Sequence, residues 1–155
     1  MALYAQRIGT GMTEPVFASA REAEAAFYAA FENADHEAMM AVWSREDDIE
    51  CIHPLSDRLV GLAAVSESWR QILSRGKRMH FQLRQSNFYQ NDQLAIHSLY
   101  ENISIGGKSQ PLVVAVNIYR FNGTGWQMIL HHASPATRIN SETDQQDTNG
   151  ARTMH

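Results

Sequence analysis

The side chains best suited to chemistry in this chain are its seven histidines, its single cysteine, and a few acids and phenols set among apolar runs. Two histidines are adjacent, His131-His132, closing the run Trp126-Gln127-Met128-Ile129-Leu130. An imidazole titrates near neutral pH, so either one is suited to giving or taking a proton. On a strand, neighbouring side chains point to opposite faces. Only one of the pair can therefore look into a cavity, and the two cannot chelate one ion together. No His-x-His or His-Glu-x-x-His spacing brings ligands onto one element, so no metal site is expected. Cys51 has no partner for an internal disulfide and no basic neighbour in sequence, which marks it as an inert buried thiol. His53, just before Pro54, either caps backbone at a strand end or reaches the mouth of a cavity. His80 and His97 stand on separate strands and are expected at the surface or at a dimer face. Among the acids, Glu101 stands alone in a strand, while Glu50 and Asp92 lie near strand ends.

These residues are positioned by elements that the sequence spells out. Ser19-Ala20-Arg21-Glu22 has capping-box spacing, and Ala23, Phe27, Ala30 and Phe31 follow at helical intervals, so a helix runs to about Asn33. Asp35 can cap a second, shorter helix carrying Met39, Met40, Val42 and Trp43. A short strand covers 49–53. Leu62, Val65, Trp69, Ile72 and Leu73 then mark a third amphipathic helix, with Gly76 as its stop. From Met79 the period changes to two, and four strands are expected near 79–90, 93–104, 111–121 and 126–134. The turns between them are short, so neighbours run antiparallel. The strand Leu112-Val113-Val114-Ala115-Val116-Asn117-Ile118-Tyr119 is apolar on both faces. One layer of helices covers one face; the simplest cover for the other is a second subunit.

A chain of 155 residues with 44% hydrophobic residues suits one domain. Its 13 Lys+Arg against 17 Asp+Glu are scattered, which argues against a nucleic-acid partner. No apolar stretch approaches the ~20 residues of a membrane span, and residues 1–16 lack signal-peptide character, which points to the cytoplasm. The expected organisation is an N-terminal extension over 1–18, a domain over 19–136, and a polar, flexible tail over 137–155.

The order helix, helix, strand, helix, four strands resembles the SnoaL-like branch of the nuclear transport factor-like superfamily. Three motifs carry the likeness: Ile52-His53-Pro54 with Gly61 and Trp69, the Tyr119-to-Trp126 hairpin, and Trp126 with His131-His132-Ala133-Ser134. The same features resemble the association domain of calmodulin-dependent kinase. The resemblance implies an α+β cone, with a curved antiparallel sheet wrapped around the N-terminal helices in the order α-α-β-α-β-β-β-β. It also implies a small-molecule pocket in the cone, a homodimer through the sheet's outer face, and no cofactor. The superfamily holds isomerases, cyclases, dehydratases and hydrolases as well as non-catalytic binding and association modules, so the fold alone does not decide between an enzyme and a binding module.

Tracing the kinase association domain along the strands implies that Gln127, Ile129, His131 and Ala133 face the pocket on the last strand, Ser98 and Tyr100 on the second, and Asn117 and Tyr119 on the third. That domain's pocket arginines fall on Tyr100, Asn117 and Ala133, so no anion site is carried over. Related enzymes use a buried carboxylate, and Glu101 alone in the sheet offers little for that mechanism. The implied catalytic set is His131 as proton carrier with Tyr100 and Asn117 holding a substrate oxygen. Trp43, His53, Val65, Trp69, Ser98, Tyr119 and Ile129 then contact a small, largely apolar ligand.

Overall fold

The computed structural model of the chain describes residues 14–137. The flexible character expected of the tail falls, from residue 138 on, outside the described residues, as do residues 1–13 of the expected extension. Ten elements follow in order: α1 (Ala20–Glu32), α2 (His36–Val42), β1 (Glu50–Ile52), β2 (Leu59–Val60), α3 (Leu62–Leu73), β3 (Met79–Gln90), β4 (Leu94–Ile105), β5 (Lys108–Ser109), β6 (Val113–Phe121) and β7 (Trp126–Pro135). Capping sets the helix starts. The Ser19 hydroxyl accepts from the Glu22 N–H at 3.1 Å, and the Glu22 carboxylate accepts from the Ala18 N–H at 2.9 Å. Asp35 accepts from the Ala38 N–H at 3.0 Å. Helix α3 begins after Gly61, which has no side chain to offer, and Asp47 supplies the cap by accepting from the Leu62 N–H at 2.9 Å. Gly61 holds φ of +92°, and a Cβ there would stand 3.0 Å from that same carboxylate, so only glycine fits the turn.

The strands form one seven-stranded sheet in the order β2-β1-β7-β6-β4-β3, with β5 paired to β4. The long neighbours are antiparallel, and the sheet is mixed because β1 runs parallel to β7. Two register shifts bend it, one between Arg84 and Asn87 on β3 and one opposite Ile118 and Tyr119 of β6. The result is the cone-shaped α+β fold, a curved sheet wrapped around helices. Between the helices and the sheet's inner face lie Phe27, Met39, Trp43, Val65, Trp69, Leu99, Tyr119 and Met128, each at most 1% exposed. Trp43 is not within α2 as its spacing suggested; it stands just past the helix end and bridges to Met128. The outer face carries cross-strand rows Ile96–Ile118–Leu130, Ser98–Val116–His132 and Tyr100–Val114–Ser134. Its apolar residues are half-buried or exposed, with Leu94 40% and Ile96 38% accessible.

Candidate functional site

Helix α1 turns Ala20, Ala23, Glu24, Phe27, Tyr28 and Ala30 toward the sheet. Glu24 and Tyr28, four residues apart on this buried stripe, sit over β4 and β6 and organise the polar interior. One chain of hydrogen bonds starts at β7. His131 Nδ1 and Asn117 Oδ1 are 2.6 Å apart, Asn117 Nδ2 donates to the Tyr28 hydroxyl at 3.0 Å, and that hydroxyl donates to Glu101 Oε2 at 2.7 Å. Because the Asn117 amide nitrogen is committed to Tyr28, its oxygen is the acceptor and His131 carries its proton on Nδ1. Every donor in the chain therefore points toward Glu101. A second cluster lies beside it: His97 Nδ1 is 2.7 Å from Glu24 Oε2, which also accepts from the Tyr119 hydroxyl at 3.5 Å.

Burial governs the titration of these groups. Glu101 is pushed up to about 7, chiefly by loss of water and further by the charge of Glu24, against the lowering effect of Tyr28's hydrogen bond. Burial and nearby carboxylates raise Tyr28 and Tyr119 well above the usual phenol range. His131 is pushed down to about 3 by burial first, then by His53 and His132. Burial also lowers His53, whose Nε2 lies 3.1 Å from Ser68 Oγ. Cys51 is raised to about 12 by burial, the chemistry of an inert thiol. No Lys or Arg is buried among the described residues, so the two carboxyls have no permanent cation beside them in the interior. Among the described residues no three His, Cys, Asp or Glu side chains come together in a way that could hold a metal ion.

The structure brings together most, but not all, of the residues expected at the site. His131, Asn117, Tyr119, Trp43, Val65 and Trp69 are buried in the interior, and His53 packs its ring 4.8 Å from Trp69. Tyr100 and Ser98 are not there: β4 turns Ala95, His97, Leu99 and Glu101 inward, so its facing is the reverse of that implied by the resemblance. Gln127 and Ile129 are half-buried and do not take inward positions, although Ile129 rests against the core. Tyr119 pairs with Met128 and Ile118 with Leu130, so Ile129 is the extra residue of a bulge, and Trp126 and Met128 take the inward positions. Beyond the bulge His131 and Ala133 face inward as expected, and His132 is exposed on the opposite face. His80 is at the surface, but His97 is 1% exposed and bonded to Glu24, a correction to the surface position expected of it. Glu24, Tyr28 and Glu101 were the residues missed or undervalued. The signal was Glu24 itself, a charge on the apolar stripe of α1.

Residues 20–138 match the model of a family described as a SnoaL-like domain. Among solved structures, a candidate calcium/calmodulin-dependent protein kinase type II association domain from Thiobacillus denitrificans is 41% identical. That match covers 80% of this chain and 100% of the other, with a TM-score of 0.77. A candidate dehydratase of the NTF2-like family from Streptomyces avermitilis is 31% identical over 75% of this chain and 92% of its own, with a TM-score of 0.69. A ketosteroid isomerase-like protein from Erwinia carotovora atroseptica shares the fold at 18% identity, 76% and 94% coverage and a TM-score of 0.61. No curated protein matches the chain.

Proposed function

The chain belongs to the SnoaL-like family of the nuclear transport factor 2-like superfamily, and on that premise we propose that its interior binds a small, largely apolar molecule and moves a proton on it. The observation that carries this reading is Glu101, a carboxyl 3% exposed, bonded to a phenol at 2.7 Å and held at about 7. An acid whose pKa lies near the working pH can both take and return a proton within one turnover. His131, held near 3, is a poor proton acceptor at neutral pH, and its part is that of a neutral hydrogen-bonding group fixed by Asn117. Tyr28 and Asn117 polarise the chain toward Glu101, while Trp43, Val65 and Trp69 exclude water and supply apolar contact. Removal of a proton beside a carbonyl is a step common in ketosteroid-isomerase and dehydratase chemistry, and a candidate dehydratase of the NTF2-like family, 31% identical, stands among the structures this chain resembles.

The outer sheet face, with its apolar rows left half-covered, supports a homodimer, and the 41% identical candidate association domain is in keeping with that. No helix among the described residues is long and apolar enough to cross a membrane. With one buried thiol, the chain suits a reducing compartment, and the cytoplasm is its proposed place.

The catalytic reading is tested without knowing the natural substrate. A panel of neutral cyclic and linear ketones is incubated in heavy water, and loss of the proton signal beside the carbonyl is followed by NMR. The wild-type chain should speed exchange of at least one ketone above the buffer rate, and Glu101→Gln should lose about 100-fold of that gain, the usual worth of a placed acid or base. No exchange above buffer, or full activity in the variant, would leave the polar chain with only the task of holding α1 on the sheet.

A further inference from the structure

The Glu101 chain leaves a second set of polar atoms in the interior unused. Trp69 on α3 is fully buried, and its indole Nε1–H has no hydrogen-bond partner. An unpaired buried donor costs ~1–3 kcal/mol, which is why native interiors rarely keep one without a reason. The Trp69 ring centre lies 4.8 Å from that of His53 and 6.0 Å from that of His131, and the two imidazoles are 6.4 Å apart. Both imidazoles have their protons assigned by their neighbours. His131 donates from Nδ1 to Asn117, which leaves a lone pair on Nε2. The Ser68 hydroxyl donates to the Val65 carbonyl at 2.8 Å, so its oxygen, 3.1 Å away, accepts from His53 Nε2–H, with the Cys51 sulfur a weaker second acceptor at 3.5 Å; this leaves a lone pair on His53 Nδ1. Neither lone pair is bonded by a described residue. Burial keeps both rings neutral.

One ring cluster thus holds an unpaired donor and two unpaired acceptors, walled by Phe27 at 5.0 Å from His131 and 5.5 Å from Trp69. The group that pairs with the indole and with an imidazole must both accept and donate. A carboxylate or phosphate only accepts; it would meet two lone pairs with no cation nearby. An ammonium only donates and would leave the indole unpaired. A hydroxyl does both, accepting from the indole and donating to one of the two imidazoles. We propose that Trp69, His53 and His131 form the polar end of the ligand site and hold a neutral hydroxyl group on an otherwise apolar ligand. The half-buried His53 is the edge of the cluster nearest solvent and the natural side of entry. This site rests on the reading of the interior as a ligand site, and it does not depend on proton transfer by Glu101.

The test uses three probes of one size: cyclohexanol, methylcyclohexane and cyclohexanecarboxylate, titrated into the full-length, nitrogen-15-labelled chain. The indole N–H signals of the three tryptophans are followed together with the imidazole nitrogens. Trp43→Phe and Trp126→Phe assign the Trp69 signal by elimination, so the result stands even if Trp69→Phe fails to fold. Cyclohexanol should move the Trp69 indole proton and His131 Nε2, each in the direction of a formed hydrogen bond. Methylcyclohexane should move neither in that sense, and the carboxylate should not bind. Trp69→Phe, if folded, should bind cyclohexanol about five- to tenfold more weakly, the worth of one neutral hydrogen bond. An indole signal indifferent to the alcohol, or equal binding of the carboxylate, overturns the hydroxyl site. Binding of cyclohexanol with these shifts supports it even if every ketone fails to exchange deuterium, in which case only the proton-transfer reading falls. If none of the three probes binds, the site and the ligand-binding reading fall together.

Discussion

Replacing Glu101 by Gln removes a buried carboxyl that titrates near neutrality, and its effect on stability should depend on pH in a calculable way. In the folded chain Glu101 sits at about 7 against an ordinary value of 4.5, a difference of 2.5 units. At ~1.4 kcal/mol per unit this amounts to about 3 kcal/mol. Below pH 4.5 the group is protonated whether or not the chain is folded, and its contribution is fully present. Between 4.5 and 7 the folded chain keeps a proton that the unfolded chain has lost, so stability falls as pH rises. Above 7 the carboxylate is ionised in both states and the slope vanishes. His131 works in the opposite sense. Its pKa falls from 6.5 to about 3 on folding, so its contribution is present above 6.5 and is lost on acidification. Because both proteins keep His131, its effect cancels in their difference. Urea unfolding of wild type and Glu101→Gln at half-unit steps from pH 4.5 to 8 gives that difference directly. Wild type should lose about 3 kcal/mol relative to the variant across the range. A difference flat to within about 0.5 kcal/mol, or one that grows in favour of wild type with rising pH, would refute the burial argument for Glu101.

His131→Ala and His132→Ala should part company: the first leaves Asn117 Oδ1 without its partner and a hole where the imidazole packed against Phe27 and Trp69, and should cost about 2–4 kcal/mol in chemical denaturation. The second removes an exposed side chain and should change the stability of each protomer by no more than about 0.5 kcal/mol; equal costs would mean that the facing of β7 is misjudged. Sedimentation of the wild-type chain at micromolar concentration should show a dimer, and Val116→Glu, which places a charge in the middle of the outer face, should give a folded monomer. A wild-type monomer would remove the case for the outer face. Gly125→Ala should destabilise by about 1–3 kcal/mol, because the new Cβ would stand 2.8 Å from Val16 Cγ1 and 3.0 Å from the Phe17 carbonyl that accepts from the Trp126 N–H. An unchanged melting temperature would show that residues 16 and 17 do not hold this close packing in solution.

The elements were legible because their signals are local. Ser19 and Glu22 start α1, Asp35 starts α2, and the change of period at Met79 opens the four long strands, all within a residue or two of their observed ends. The two-residue strands β2 and β5 are too short to show a period. What decides the site is not local. Leu94, Ala95 and Ile96 are apolar in succession, so alternation could not tell which face of β4 is buried. The answer comes from Glu24 and Tyr28, each 73 residues away from its partner on β4, which give His97 and Glu101 the hydrogen bonds that make their burial tolerable. On β7 the bulge at Ile129 lets Met128 and His131, three positions apart, face the same way. No residue in that run announces it. His131 was therefore placed correctly while Gln127 and Ile129 were not, since the count from the strand's end is right only on the far side of the bulge.

The most direct test of Glu101 as the proton carrier is the pH profile of deuterium exchange into a responsive ketone, measured for wild type and Glu101→Gln. If the ionised carboxyl is the base, the wild-type rate should rise with pH to a plateau, with its midpoint at about 7, and the variant should lose both the rate and the midpoint. A wild-type rate that only tracks hydroxide concentration, or a variant that keeps the same profile, would contradict it.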